Sequence, residues 1–122
     1  MKVLLGIGGS DESQRALDET VARAAETDDE LTIAIFEKPG VERDPDEIEA
    51  TARERLDEAG VDATIRHLEG DPGSKLVQIA EAEEYDQLVI GGGEVSPMGK
   101  IQLGSVTEFV LLNAQVTVKL VR

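Results

Sequence analysis

The 122-residue sequence predicts a single α/β domain, residues 1–122, built as a doubly wound five-stranded parallel sheet with helices on both faces. Three observations predict it. Strand-length apolar runs alternate with stretches of helical period, giving the string β-α-β-α-β-α-β-α-β. Alternation of this spacing means right-handed crossovers and a sheet covered on both sides. Two of the strand ends carry glycine clusters, at the end of an open sheet where ligands bind.

Each element follows from its residues. Val3, Leu4, Leu5, Gly6 and Ile7 form a continuous apolar run, as a strand buried on both faces requires. Gly8, Gly9, Ser10 and Asp11 turn the chain into a helix with Ala16, Leu17, Val21, Ala24 and Ala25 on its inner stripe. The second strand is 31–36. Asp44, Pro45 and Glu47 start a helix, with Ile48, Ala52, Leu56 and Ala59 facing inward and Gly60 as its stop. Residues 61–67 alternate apolar and polar, the mark of a half-exposed edge strand, and Asp71-Pro72 caps the third helix. Residues 88–90 are the most apolar strand and read as the most central. Gly91, Gly92 and Gly93 open a long loop ending at Gly104. Ser105-Val106-Thr107-Glu108 reads as a capping box for a helix whose inner face holds Val106, Phe109, Val110 and Asn113. A last alternating strand covers 116–121.

Composition narrows the function. With 26 acidic residues against 12 basic, the net charge is −14, which argues against nucleic acid and anionic membrane surfaces. A 40% hydrophobic content in periodic order argues against a disordered polyanion. The acidity fits a halophilic cytoplasm, where salt at 1 M screens charge over about 3 Å. Only five lysines agree with this. There is no cysteine, hence no disulfide, thiol catalysis or thiolate metal site. The N-terminus carries no leader pattern and the chain no membrane-length apolar run, so the location expected is cytoplasmic.

Most chemistries fail on inspection. Counting back from Gly99-Lys100, the first glycine of a Walker loop falls on Glu94, and Ile101 replaces the Ser or Thr. Asp11 stands where a dinucleotide fingerprint starting at Gly6 needs its third glycine. Gly8 and Gly9 occupy the place of a receiver domain's carboxylates. His67, the only histidine, has no evident second ligand and reads as a surface or packing residue. Glu81, Glu83 and Glu84 spread along a helix as a solvated face. What remains is the segment 86–108, in which a glycine cluster meets a helix N-terminus carrying Ser105 and Thr107, an anion-binding arrangement. The same glycines serve equally as a tight turn, and Ser105 as a helix cap.

At these residues the sequence resembles the universal stress protein (UspA) family, over essentially the whole chain. The resemblance rests on residues 3–7 with Gly9-Ser10-Asp11-Glu12-Ser13, on Glu69-Gly70-Asp71-Pro72, on 86–91, on 103–108, and on 116–121. It implies strand order 3-2-1-4-5 and homodimers formed through the last strand, here by Val116, Val118 and Leu120. Some members bind ATP or AMP through Gly, two residues, Gly, nine residues, then Gly and Ser or Thr. In this sequence Gly91, Gly104 and Ser105 match, with Val106 and Thr107 following, but Glu94 replaces the middle glycine. Gly8 stands where ATP binders usually carry Asp, and Ile35 keeps the adenine-side backbone contact. Lys100 either reaches a phosphate or points into water.

The expectation is therefore a non-enzymatic, homodimeric stress-response domain with a degenerate nucleotide site made of Gly8, Gly9, Ile35, Gly91, Gly92, Gly93, Gly104, Ser105, Val106 and Thr107, opposed by Glu94. No cofactor or metal is expected. The alternative is an ATP or AMP binder with a remodelled 91–93 loop and slow hydrolysis. A third reading is an interaction module that docks partners through the same edge.

Overall fold

A computed structural model describes residues 1–37, 43–92, 94–95, 98 and 101–122, with the backbone alone at 94–95 and 101–102. The elements run β1 (Lys2–Ile7), α1 (Asp11–Glu26), β2 (Glu30–Ile35), α2 (Pro45–Ala59), β3 (Ala63–His67), α3 (Pro72–Ala82) and β4 (Gln87–Gly91). They continue with β5 (Glu94–Val95), β6 (Ile101–Gln102), α4 (Ser105–Asn113) and β7 (Thr117–Val121). The main sheet has order β3-β2-β1-β4-β7 and every pair is parallel, which is 3-2-1-4-5 counted over its own strands.

Strand alternation divides the core into two layers. Val3, Leu5, Ile7, Ile33, Ile35 and Val89 face α1 and α2. Leu4, Ala34, Leu88 and Ile90 face α3 and α4. The middle strand is β1, with β4 one place nearer the edge, so the reading of 88–90 as most central shifts by one strand. Both are buried throughout, from Val3 to Ile7 and from Leu88 to Gly91.

Helix ends obey local chemistry. The Ser10 hydroxyl accepts from Ser13 N–H at 3.2 Å, capping α1. Asp44 and Asp71 do the same for α2 and α3, each followed by proline at the first helical position. Gly60 ends α2 in the left-handed conformation, φ 66°. That turn takes Val61 out of β3, because its N–H bonds back to Leu56 O.

Several sequence expectations need correction. The N-cap of α4 is Gly104, with no side-chain cap, and Ser105 is already helical: Glu108 N–H bonds Gly104 O at 2.9 Å, so the helix begins one residue early. Phe109 and Asn113 are exposed, and the buried residues of α4 are Val106, Thr107 and Val110. Phe109 lies across Gly73 of α3 instead. Ala25 is exposed. Glu83 and Glu84 lie beyond α3, Glu83 as its C-cap. The expected loop between Gly91 and Gly104 contains a small antiparallel pair, Glu94 with Gln102 and Val95 with Ile101.

The Asp71 cap carries a pH signature. Hydrogen bonds from the Ser74 hydroxyl and backbone N–H hold its carboxyl below the ordinary 3.8. A depressed folded-state value stabilises the fold above the ordinary value and ceases to do so as pH falls through the depressed one. Asp71→Ala is expected to lower the melting temperature at pH 7. The gap to wild type should narrow as thermal scans approach pH 2, and a gap constant with pH would count against the cap.

Candidate functional site

The chain winds from β1 to β2 and β3 on one side, then returns to place β4 and β7 on the other. The strand order therefore reverses between β1 and β4, and their C-terminal ends flank the crevice where such sheets bind ligands. Gly8 and Gly9 stand at the β1 end, Gly91 and Gly92 at the β4 end.

The β1 end is knit into the first turn of α1. Gly8 N–H donates to the Ser13 hydroxyl at 3.1 Å, and the Ser10 hydroxyl bonds the same oxygen at 3.2 Å. Gly9 has φ 83°, a left-handed backbone that an L side chain rarely adopts. Ser13 and Glu12 are both buried here. Sequence reading did not assign Ser13 a role, although Ser10 and Ser13 at an N-cap spacing were the available signal.

At the β4 end the glycines are required by close approach. A Cβ on Gly91 would lie 2.3 Å from Glu12 O and 2.7 Å from Ser13 N, so the strand end meets the backbone of α1 directly. A Cβ on Gly92 would lie 2.6 Å from Thr107 Oγ1. The buried Thr107 hydroxyl donates to Gly91 O at 3.2 Å, and Gly92 N–H donates to Val121 O at 3.0 Å. Gly91, Gly92 and Thr107 are thus brought together, with Gly91 O, Gly92 N–H and the Thr107 hydroxyl each bonded within the protein. Val106 is buried against the α3–α4 layer, while Ser105 is exposed at the start of α4. With no side-chain cap at Gly104, the first-turn N–H groups of α4 have no side-chain acceptor from the N-cap.

Ile35 is buried at the end of β2, beside a cleft of about 390 Å³ that also takes in Phe36, Glu37, Pro45 and His67. His67 is exposed and its Nε2 meets Glu49 Oε1 of α2 at 2.5 Å. That bond, followed by one from Arg53, holds the Glu49 carboxyl below its ordinary range. Gly93 and Lys100 lie outside the described residues, as does the side chain of Glu94. Among the described residues no group of three His, Cys, Asp or Glu is placed to hold a metal, and no helix is long and apolar enough to cross a membrane.

The fold and crevice define a doubly wound α/β domain with a glycine-built switch point. The universal stress protein family model matches residues 1–122, and the chain belongs to that family. A universal stress protein of Methanothermobacter thermautotrophicus is 46% identical over 54 residues, which span 44% of this chain and 36% of that protein. Universal stress protein YxiE of Bacillus subtilis is 29% identical across 89% of this chain and 90% of its own. Among solved structures, a universal stress protein in complex with cAMP superposes with a TM-score of 0.77 at 29% identity, covering 100% of this chain and 96% of that one.

The junction predicts its own sensitivity. Thr107→Val keeps the shape but leaves Gly91 O without its donor, at a cost of about 1–3 kcal/mol. Gly91→Ala forces a methyl into backbone rather than into a yielding side chain, and should cost at least as much. Denaturant unfolding measures both. Near-wild-type stability for Gly91→Ala would show that β4 does not abut α1.

Proposed function

We propose that this chain is a stress-response domain without catalysis of its own, acting as a homodimer, whose adenine-nucleotide site is degenerate. The observation that carries the reading is that the polar groups at the β4 end are already in use: Gly91 O by Thr107, Gly92 N–H by Val121. A glycine loop cradles phosphate with free N–H groups, and here the loop's beginning has spent one of them. Two further features point the same way. Gly8 offers no carboxylate to a ribose, and its N–H is taken by Ser13. Glu94, where the resemblance wants glycine, pairs with Gln102 in a short ladder. For catalysis, the sole histidine is engaged by Glu49, and the hydroxyls of Ser10, Ser13 and Thr107 are spent on neighbouring backbone or one another. The acidic surface fits a salt-rich cytoplasm.

A second reading, an AMP or ATP binder with a remodelled loop, is favoured by the cAMP complex of the 29%-identical structure and by the uncapped N-terminus of α4. Calorimetric titration of cAMP, AMP and magnesium-ATP at high salt separates the two. The degenerate site predicts weak or undetectable ATP binding by the wild type, with gains in Glu94→Gly and larger ones in the Gly8→Asp/Glu94→Gly variant. A unit charge removed about 4 Å from a phosphate is worth up to ~4 kcal/mol at an effective dielectric of 20. Tight wild-type ATP binding would favour the remodelled loop.

The dimer is assigned to the open edge of β7. Because Val121 O faces Gly92, the backbone groups of Thr117, Lys119 and Val121 point at β4, while those of Val118 and Leu120 point outward. Val116, Val118 and Leu120 are half-buried, and an uncovered apolar edge invites pairing. Leu112, 76% exposed on α4, extends the apolar surface of the α3–α4 face. Val118→Pro removes an outward N–H and spares the ladder to β4. Light scattering should then report a monomer where the wild type is a dimer. A wild-type monomer, or a dimer unaffected by the proline, would exclude this edge.

A further inference from the structure

The crossover from β3 to β4 leaves a second concave surface. It passes over β2 and β1, so α3 docks where Leu76 packs on Gly6 of the middle strand: a Cβ there would lie 2.9 Å from Leu76 Cδ1. Two helices on that face do not cover five strands, and among the described residues the α3 side of edge strand β3 stays open. The opening is a cleft of about 430 Å³ between β3 and the Lys75, Gln78, Ile79 and Ala82 face of α3. That size lies within the ~300–1,000 Å³ range of ligand pockets. None of Gly8, Gly91, Gly92 or Thr107 lines it.

Its charged groups sort themselves. Arg66 Nη1 binds both carboxylate oxygens of Glu83, at 2.9 and 2.7 Å, which neutralises one wall. His67 turns to Glu49 of α2. Two opposite charges remain, the Lys75 ammonium and the Glu69 carboxylate, neither of which has an ion-pair partner among the described residues. The Lys75 stem runs back beside the turn after Glu69, with Cε 3.9 Å from where a Cβ on Gly70 would stand. Gln78 adds an amide, and Ile79 and Ala82 add apolar floor.

We propose that this cleft binds a small zwitterion of the free α-amino acid class with an apolar side chain. Lys75 and Gln78 receive the carboxylate, Glu69 receives the ammonium, and the side chain lies on Ile79 and Ala82. A ligand of zero net charge also approaches a −14 chain without the long-range repulsion that an anion meets. The cleft shares His67, Leu68 and Glu69 with the one beside Ile35, whereas Lys75, Gln78, Ile79 and Ala82 line this cleft and not that one.

The test is amide NMR titration of the isotope-labelled protein with L-leucine, and in parallel with isocaproate, which lacks the ammonium, and isoamylamine, which lacks the carboxylate. Leucine should shift Leu68, Gln78, Ile79 and Ala82, with each single-charge analogue at least about tenfold weaker. Lys75→Gln and Glu69→Gln should each abolish most of the leucine response while leaving the remaining spectrum folded. Absence of shifts at these residues, shifts confined to the β1–β4 crevice, or equal responses to all three probes would overturn the proposal.

Discussion

The contact on which the molecule depends is that between the end of β4 and the first turn of α1. A parallel sheet whose order reverses beside its middle strand must bring β4 against β1 just where α1 departs. The backbone of Glu12 and Ser13 then occupies the space a side chain at residue 91 would need. Glycine there permits β4 to run its full length beside β7. Once it does, Gly92 N–H reaches Val121 and Thr107 reaches Gly91 O, which ties α4 and the final strand to the same point. One close approach fixes four elements.

That junction explains why the sequence was legible in some places and not others. The strands announce themselves because burial on both faces leaves only apolar residues, as at Val3, Leu4 and Leu5 or Leu88, Val89 and Ile90. The starts of α2 and α3 were legible because Asp-Pro combines a side-chain acceptor with a preset φ. The start of α4 was not. Ser105 and Glu108 have capping-box spacing, but Thr107 must point inward to reach Gly91 O. A helix beginning at Ser105 delivers it there, and this tertiary demand outranks a local cap. Phe109 was misplaced for a related reason: it covers the bare Gly73 on the neighbouring helix rather than entering the core. The Glu94–Gln102 pairing has no sequence signal at all, since two-residue strands have no period to detect.

For the candidate site the sequence marks positions without marking their roles. Glycines at a strand end look alike whether they admit a ligand or another piece of backbone, because both uses require the missing Cβ. Only the spatial neighbours of Gly91 and Gly92 separate the two uses, and those neighbours come from 79 and 15 residues away in sequence, at Glu12 and Thr107. Ser13 was overlooked despite its N-cap spacing from Ser10, because its partner at the β1 end is a backbone N–H, a group every residue but proline carries.

A site made of fold-bearing residues has a constrained history of change. If the glycines of the β4 end served phosphate alone, loss of binding would free them to vary. Here Gly91 and Gly92 are held by packing, so the fold requires them whether or not a nucleotide is bound. Positions such as 8 and 94 answer differently. The hydrogen bond from Gly8 N–H to Ser13 uses the backbone alone and by itself sets no requirement on the side chain. Residue 94 sits in a two-residue ladder apart from the main sheet. The matches at Gly91 and Thr107 thus fall on positions the fold cannot spare, whereas Ser105 is exposed at the start of α4. The matches at Gly91 and Thr107 are accordingly weak arguments for nucleotide.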